Sequence, residues 1–396
     1  MGFDVVIGNP PYGISIKNQA RVFLEKDIGK IPDFEIYYWF INRGNSILKQ
    51  SGQFSYIIPN TLLFNIYAQN YRISLFDKWH FEELLDCTDF NIFHDATVRN
   101  IILMLKKEDN GDKIKYRSTK NITNFYDLIS NPQITINKEV AIINNQNWGL
   151  IFKLDQTIMQ LISKIKLFKP LSDFFIVSQG YIPYRTSDLI KIHGKEKGEK
   201  ITKERLWHSN TKLNNEYKQE IFGRDIKKYN YTKSESYVWY GKHLACYVDP
   251  KFFNSKRILI REITNPTIIA CLIEEEFVND PQLINIIKKS ESNFSLEYLW
   301  AILNSTLATF YHFNSSPKAT KGAFPKILIY DVNNFPIPVK DDKIIENQLV
   351  NHVNNIFNKK KQDTTFNSKS IEAEIDRLVY ELYGLTEKEI RIIESI

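Results

Sequence analysis

Short apolar runs recur over the first 105 residues of the chain. They have the length of buried strands and lie at Phe3–Ile7, Phe54–Ile58, Phe81–Cys87 and Val98–Leu105. Between them, apolar residues at helical spacing predict a helix from about Phe34 to Lys49, ended by Gly52, and helical character from Thr61 to Trp79. Strands that alternate with helices in this way predict an α/β domain with a parallel-rich sheet covered by helices.

The pattern changes near Pro170. A helix is predicted from about Asp155 to Phe168, and short strands separated by Gly, Asn and Pro turns follow it. These strands and the later helices are predicted at Phe174–Val177, Tyr237–Tyr240, Arg257–Ile260, Ile268–Ile273, Leu296–His312 and Ile371–Ser395. We therefore predict an α/β domain at 1–165, an α+β domain at 166–345 and a C-terminal helical segment at 346–396.

The positive charge of the chain is concentrated in one stretch. The formal net charge is +6, and residues 185–233 contain thirteen Lys or Arg against seven Asp or Glu. Clustered cations favour a polyanion partner, because binding releases counterions from phosphates. A solvated lysine-rich surface is the alternative, and charge alone leaves both open. Gly194–Gly198 is interpreted as a charged loop of this stretch.

The cysteines and the apolar runs limit the classes to which the protein can belong. Cys87, Cys246 and Cys271 are far apart in sequence and show no metal-ligand spacing, so they are predicted to be free thiols in a reducing compartment. No run such as Ile101–Leu105 approaches the length of a membrane span, and the start does not resemble a signal peptide. A cytoplasmic protein without a membrane partner or a metal is expected.

The first predicted strand is followed by Asn9-Pro10-Pro11-Tyr12. Two prolines favour an extended loop at the carboxyl end of the strand, where ligands bind in open α/β sheets. The side-chain oxygen of Asn9 and the carbonyl of Pro10 are two rigid acceptors that can hold both N–H groups of an exocyclic amine. Tyr12 can stack on a base that has left the duplex, which contributes roughly 1–3 kcal/mol.

These residues carry a family resemblance. Asp4–Tyr12 resembles motif IV of the gamma-type amino-methyltransferases, in which the Asn, the next Pro carbonyl and the Tyr hold a flipped adenine. Asp33, in Asp33–Tyr37, takes the place of motif V beside the methyl donor, and Gly52–Asn60 resembles motif VI. Phe93 stands where the family has a second aromatic against the base. Two alternatives stay open, since Asp33 can be a helix cap only and Phe93 an ordinary core ring.

The second half resembles the TaqI-like specificity domain. The matching pieces are Gln179–Pro183, Gly223–Tyr229, Leu303–Ser305, Phe335–Pro338 and Leu382–Thr386. The resemblance implies double-stranded DNA as the partner of this half, and it places Arg185, Arg224, Lys227 and Lys228 as candidate phosphate or base contacts. Lys318 and Lys321 are lesser candidates, and a merely solvated surface is the alternative for all six.

The resemblance also implies S-adenosylmethionine as the methyl donor. The family binds it through a Gly-rich turn and an acidic residue that lie upstream of motif IV, whereas this motif IV strand begins at Phe3. We therefore expect a partial Rossmann-like methyltransferase sheet without most of its donor site. A split enzyme with a partner chain, a fragment and a decayed DNA-binding remnant are the three explanations. Residues 1–150 would then fold poorly alone or pair with another chain through an exposed edge strand.

The favoured function is site-specific N6-methylation of adenine in a restriction-modification system, with Asn9, Pro10, Pro11 and Tyr12 as the catalytic loop. A DNA-specificity module without catalysis is the second hypothesis. A third keeps methyl transfer but changes the substrate to protein glutamine or RNA, and the long second domain argues against it.

Overall fold

A computed structural model gives the fold of the chain. It describes residues 2–14, 16, 18–28, 31–32, 35–93, 98–108, 111–120, 122–264, 266–316, 318–319, 325–339 and 343–395. Asp33 and Lys321 lie outside these residues, so their roles stay predictions. The chain divides into two compact units, unit 1 at Met1–Ser163 and unit 2 at Lys164–Ile396. No helix in the described part of the chain is long and apolar enough to cross a membrane.

Unit 1 is built on a six-stranded mixed sheet. Its strands are β1 (Phe3–Gly8), β2 (Leu48–Pro59), β3 (His80–Asp86), β4 (Asn100–Lys106), β5 (Lys113–Ser118) and β6 (Gln133–Asn137), in the order β1-β2-β4-β3-β5-β6. β1 pairs with β2 in parallel, and so does β3 with β5, but the other three pairs are antiparallel.

The predicted parallel-rich sheet is therefore wrong. β4 enters between β2 and β3 and runs antiparallel to both. Its apolar run reflects burial in the middle of a sheet, and a central antiparallel strand shows such a run as a parallel strand does. Strand direction was thus not readable from the pattern.

The helices of unit 1 cover the sheet. They are α1 (Asn18–Ile28), α2 (Tyr37–Ile47), α3 (Gln69–Leu75), α4 (Lys138–Ile143), α5 (Trp148–Ile151) and α6 (Gln156–Lys166). α2 directs Tyr37, Tyr38 and Ile41 into the core, where all three are fully buried. Gly44 of α2 lies so close to β2 that a Cβ there would be 2.4 Å from the ring of Phe54.

Three local predictions in unit 1 need correction. Gly52 does not end a helix, because it lies inside β2, which begins at Leu48 directly after α2. Of Thr61–Trp79 only α3 is α-helical, and short 3-10 turns at Asn60–Leu63 and Ile66–Ala68 precede it. No element was predicted between Leu105 and Asp155, where the structure has β5, β6 and α4, which are too short to show a clear periodicity.

Unit 2 combines small antiparallel sheets with helices. Its strands are β7 (Lys169–Pro170), β8 (Phe175–Gln179), β9 (His208–Ser209), β10 (Tyr217–Gln219), β11 (Ile226–Lys227), β12 (Asn230–Tyr231), β13 (Tyr237–Trp239), β14 (Arg257–Arg261), β15 (Ala270–Ile273), β16 (Leu283–Lys288) and β17 (Pro336–Ile337). The largest sheet has the order β15-β14-β16-β8 and is antiparallel throughout, and β10-β13-β9 form a second, antiparallel sheet.

The helices of unit 2 differ from the prediction at two places. They are α7 (Thr186–His193), α8 (Lys195–Glu204), α9 (Leu296–Asn304), α10 (Thr306–Ser315), α11 (Ile329–Asn333), α12 (Lys343–Gln362), α13 (Lys369–Leu382) and α14 (Glu387–Glu394). The single helix predicted at Leu296–His312 is divided by Ser305, whose extended backbone ends α9 and whose hydroxyl caps α10.

The predicted charged loop at Gly194–Gly198 is wrong from Lys195 onward, because α8 begins there. Lys and Glu are good helix formers, so a charged stretch is compatible with a surface helix. Gly194 supplies the turn with φ +84°, and a Cβ at Gly198 would lie 2.7 Å from the backbone nitrogen of Ile190. α7 and α8 therefore form a closely packed helical hairpin.

Candidate functional site

The Asn9–Tyr12 loop follows β1 directly and lies at the carboxyl edge of the sheet. Asn9 and Pro11 are exposed, Tyr12 is half-buried and Pro10 is buried. The same edge contains the end of β2, the start of β4 and the residues after β3. Asn60 N, after β2, donates to Arg99 O, before β4, at 2.8 Å, and Cys87 N, after β3, donates to Asn100 O, in β4, at 3.1 Å. The loop thus lies at the same edge of the sheet as polar groups from three further segments.

The Tyr12 hydroxyl occupies the acceptor that the predicted chemistry requires. It lies 2.6 Å from Asn9 Oδ1 and 2.9 Å from the carbonyl oxygen of Ile57 in β2. One phenolic proton is shared between these two acceptors, so losing one of them leaves the other in place. The structure brings Tyr12 to Asn9 through a hydrogen bond, with the Asn9 amide oxygen satisfied from within the loop.

The loop is fixed from the other side by the segment before α2. Gly13 N donates to Glu35 Oε2 at 3.1 Å, and Ile36 N donates to Ile14 O at 3.2 Å. Gly13 has φ +66°, a conformation that favours glycine. The segment that resembles motif V therefore contacts the loop through Glu35 and Ile36, two residues that sequence reasoning did not single out.

Asn100 is a further polar group at this edge. It is 3% exposed, and its side-chain nitrogen has no hydrogen-bond partner of good geometry among the described residues. Burial raises the pKa of Tyr12 to about 12, and the nearby Asn100 side chain opposes this rise. A buried N–H group without a partner is costly, so Asn100 has donor capacity to offer a ligand.

A chain of hydrogen bonds lies behind the edge. Asn60 Nδ2 donates to Thr88 Oγ1 at 3.0 Å, and the Thr88 hydroxyl donates to the buried carboxylate of Asp86 at the end of β3. Tyr116 donates to the other Asp86 oxygen at 2.9 Å, and Lys153 lies 3.3 Å from it. Because Asp86 is fully used, it supports the residues after β2 and β3 and is not a free acid for catalysis.

Phe93 and the exposed edge strand β1 are two further features of unit 1 that the sequence predicted. Phe93 is half-buried after β3. Its role as a second aromatic against the flipped base stays a prediction. β1 is an edge strand of the described sheet, and its Phe3, Val5 and Ile7 are 63%, 59% and 79% exposed. A partner for this strand stays a prediction.

The predicted cations of unit 2 fall into two groups. Arg185, Arg224, Lys227 and Lys318 are exposed. Arg185 lies 3.0 Å from Asp188, while Arg224 lies over the ring of Phe222 with a distance of 5.1 Å to its centroid.

Lys228 differs from these four. Its ammonium donates to Asn304 O at 2.9 Å, and burial lowers its pKa although Glu372 and Asp376 oppose the shift. Lys228 is thus half-buried with its ammonium on a backbone carbonyl, and its role as a DNA contact stays a prediction.

Two family models match the chain. Residues 1–93 match the Eco57I restriction-modification methylase family, and residues 218–337 match the TaqI-like C-terminal specificity domain. The chain thus has a segment similar to the Eco57I restriction-modification methylases and, after it, a segment similar to the TaqI-like specificity domain.

Two similar proteins are longer than this chain. It is 27% identical over 401 residues to a putative type II restriction enzyme and methyltransferase of Methanocaldococcus jannaschii, a match that covers 96% of this chain and 31% of that protein. It is 24% identical over 168 residues to the type II restriction enzyme and methyltransferase RM.Eco57I of Escherichia coli, which covers 41% and 17% respectively. The chain thus spans less than a third of the length of these relatives.

One solved structure shares the fold over nearly the whole chain. The Type IIL restriction-modification enzyme MmeI, solved in complex with DNA, aligns with a TM-score of 0.50 and 13% identity over 99% of this chain and 57% of its own. At this identity the likeness concerns the fold alone.

Proposed function

We propose that the chain holds the target-base loop and the target-recognition domain of a DNA adenine N6-methyltransferase of a restriction-modification system. The observation that carries the proposal is the Asn9–Tyr12 loop at the carboxyl edge of the sheet. Asn9 Oδ1 and the Pro10 carbonyl are acceptors for the two N–H groups of an adenine amine. Within the described residues the Pro10 carbonyl accepts no backbone hydrogen bond, so it is available to a ligand.

The Tyr12 hydroxyl acts as a placeholder in this proposal. It donates to Asn9 Oδ1 at 2.6 Å. An N–H group of the adenine amine would take the place of this hydroxyl as the donor to Asn9 Oδ1. The displaced hydroxyl keeps the Ile57 carbonyl at 2.9 Å, so the exchange leaves no polar group unpaired. The ring of Tyr12, released from Asn9, is then available to stack on the flipped base, a contact worth roughly 1–3 kcal/mol.

Preorganisation supports catalysis by this loop. An exocyclic amine is a poor nucleophile while its lone pair is delocalised into the ring. Two acceptors held by a rigid proline backbone draw the N–H groups out of that plane and direct the nitrogen toward the methyl donor. The loop supplies orientation and electrostatics, while the methyl group comes from S-adenosylmethionine, the donor that the methylase family implies.

The described residues do not form a complete donor site. The residues that follow β1, β2 and β3 are Asn9-Pro10, Asn60-Thr61 and Cys87-Thr88, none of which is the Gly-rich strand-to-helix turn that holds such a cofactor. Asp86, the carboxylate at the end of β3, is occupied by Thr88 and Tyr116. We therefore derive no step through the donor, and the role of Asp33 beside it stays a prediction.

DNA binding is proposed for unit 2. It contains the TaqI-like match at residues 218–337, and Arg185, Arg224, Lys227 and Lys318 present exposed cations. Phosphate contacts from such residues give affinity, and contacts to base edges give specificity. A DNA-specificity module without catalysis is the second candidate, which the TaqI-like match at residues 218–337 favours.

Nucleoside mass spectrometry separates these candidates. The natural gene product, with any coding sequence joined upstream, is expressed in a host without DNA methylases, and the host DNA is digested to nucleosides. The proposal expects N6-methyldeoxyadenosine, and a catalytically inactive specificity module gives none. Methylcytosine in its place would show that the loop holds a different base. Sequencing of the methylated sites gives the recognition sequence in the same experiment.

A further inference from the structure

A buried polar network lies beneath the loop Gln179–Arg185 of unit 2. Glu220 is 1% exposed, and its carboxylate accepts hydrogen bonds from the hydroxyls of Tyr181 and Ser236, the second at 2.5 Å. His208 Nε2 lies 3.2 Å from the same carboxylate. Because an ionised carboxylate only accepts, a neutral His208 carries its proton on Nε2 and leaves Nδ1 as an acceptor.

Tyr184 continues the network toward the surface. Its hydroxyl lies 2.7 Å from His208 Nδ1 and accepts a hydrogen bond from Trp207 N at 3.0 Å. With the tautomer set by Glu220, Tyr184 is the donor to Nδ1. Glu220 thus holds His208, and His208 in turn holds the hydroxyl of Tyr184. This chain of hydrogen bonds fixes the position of the half-buried Tyr184 ring.

Arg205 lies over this ring. Its guanidinium carbon is 5.1 Å from the ring centroid of Tyr184. Arg205 directly follows α8 with φ 50°, a left-handed conformation that few non-glycine residues adopt. No carboxylate in the described part of the chain lies within ion-pair distance of Arg205, whereas Arg185 is paired with Asp188. The exposed guanidinium is therefore placed by the fold and left without an anion.

The network is satisfied although it contains a buried charge. Burial alone would raise the pKa of Glu220, but the hydrogen bonds from His208, Ser236 and Tyr181 outweigh it and the pKa is lowered. A fully satisfied buried network rigidifies the groups that it contacts. Perturbed carboxyl groups of this kind cluster at functional sites. The element that reaches the surface from this network is the stacked pair of Tyr184 and Arg205.

We propose that Tyr184 and Arg205 form a DNA-contact platform, and that Glu220 and His208 are its positioning residues. The stacked guanidinium presents its N–H edge to two acceptors in one plane, which are either two phosphate oxygens or O6 and N7 of a guanine. The inference rests on the DNA binding proposed for unit 2. It adds residues 184, 205 and 208, which lie outside the matched specificity domain at 218–337.

Fluorescence anisotropy with a labelled random-sequence DNA duplex tests the platform in the full chain. Arg205→Ala is expected to weaken binding about tenfold to a hundredfold, while Arg391→Ala, an exposed arginine on α14, leaves it within twofold. Equal binding of this duplex by Arg205→Ala and wild type, together with an equal sequence preference in the DNA that each selects, overturns the inference but not the proposed function. Failure of the wild type itself to bind the duplex overturns the DNA-binding proposal beneath it.

Salt dependence and site selection distinguish the two acceptors. If Arg205 contacts phosphate, its removal weakens binding to all sequences alike and lowers the slope of log K against log salt by about one. If it contacts a guanine, sequencing of the selected DNA shows one position with relaxed preference and the slope is unchanged. Both results support the platform.

A double-mutant cycle tests the positioning role. Glu220→Gln is expected to weaken DNA binding severalfold in the wild-type background and to have no further effect in Arg205→Ala. An equal loss in both backgrounds means that Glu220 serves only the fold, which contradicts its positioning role. Thermal melts show whether each variant is folded. If Glu220→Gln does not fold, the same cycle is measured with His208→Gln in its place.

Discussion

Two buried polar side chains, Asn100 in unit 1 and Glu220 in unit 2, differ in how their hydrogen-bonding capacity is used. Glu220 accepts from Tyr181 and Ser236 and lies within 3.2 Å of His208, so it is fully satisfied. The Asn100 side-chain nitrogen has no partner of good geometry among the described residues. The first arrangement builds a rigid frame, whereas the second leaves capacity for a ligand.

The Asn9–Tyr12 loop also differs from the Glu220 network, although its key acceptor has a partner. Its key acceptor, Asn9 Oδ1, is satisfied by Tyr12 from the same loop, and the hydroxyl has a second acceptor in Ile57. A contact within one short loop is easily exchanged for a ligand contact, while the contacts of Glu220 join segments far apart in the chain. The comparison therefore predicts that changes in the frame of unit 2 act on stability and changes at the edge of unit 1 act on function.

Gly180→Ala is expected to have the largest effect. The loop that carries Tyr181 passes so close to the segment before β16 that a Cβ at Gly180 would lie 2.1 Å from Asp280 O and 2.2 Å from Asn279 O. Both neighbours are backbone, so unit 2 must shift, at a cost of about 3 kcal/mol or more. Urea unfolding with hydrogen exchange to assign the affected unit measures this loss.

Gly223→Ala is the matched control for this change. A Cβ there would have no neighbour closer than 3.6 Å, so its effect is expected to stay below about 1 kcal/mol. Equal losses for the two variants would show that the close approach at Gly180 is not what holds the loop.

Glu220→Leu follows in magnitude. It leaves Tyr181, Ser236 and His208 without their common acceptor inside the protein. Removal of one partner from a buried charged network costs about 3 kcal/mol. The same unfolding measurement should place the loss in unit 2, and an unchanged stability would break the contrast with Asn100.

A pH effect of about 2 kcal/mol is expected from His312. This side chain is 2% exposed, and burial lowers its pKa from 6.5 to about 4. The unfolded chain binds the proton below about pH 6.5 and the folded chain does not, so the stability contribution is present above pH 6.5 and lost as the pH falls toward 4. Unfolding at pH 7 and pH 5 measures the difference, and His312→Gln should flatten it. If the free energy of unfolding of His312→Gln changed with pH as much as that of the wild type, another group would be the cause of the pH effect.

Asn100→Leu is expected to change stability in the opposite direction. Replacing a buried amide whose nitrogen lacks a partner of good geometry by an apolar side chain of similar size should raise the free energy of unfolding by about 1 kcal/mol. Methyl transfer should nevertheless fall, because the edge loses its donor. Asn285→Leu in β16, which removes another buried amide without partners, is the control and should stabilise without lowering methyl transfer. A destabilised Asn100→Leu would show that the amide is part of the frame.

The sequence identified the loop but not its state. The strand-ending glycine and the two prolines of Asn9–Tyr12 were readable, because they restrict the backbone locally. The hydrogen bond from Tyr12 to Asn9 depends on the carbonyl of Ile57 in β2, which only the folded sheet brings near. Asn100 was likewise not readable, because its place at this edge requires β4 to run antiparallel between β2 and β3.

Unit 2 shows the same limit. Gln179–Pro183 was recognised as a motif, but its partner Glu220 is 39 residues from Tyr181. The charge between residues 185 and 233 drew attention to Arg185 and Arg224 and passed over Arg205, since composition does not show which cation lacks an anion. Lys228 was named for its charge within a piece that resembles the specificity domain, and the sequence did not show that it is half-buried with its ammonium on Asn304 O.

The most direct test of the central claim is the initial rate of N6-methyladenine formation by the natural gene product with Asn9→Ala, with DNA binding measured on the same samples. The account predicts that the rate falls about a hundredfold or more while DNA affinity is unchanged, because one of two acceptors for the adenine amine is lost. Asn70→Ala, an exposed asparagine of α3, should retain the full rate. A rate in Asn9→Ala within a few-fold of wild type would contradict the role of the loop.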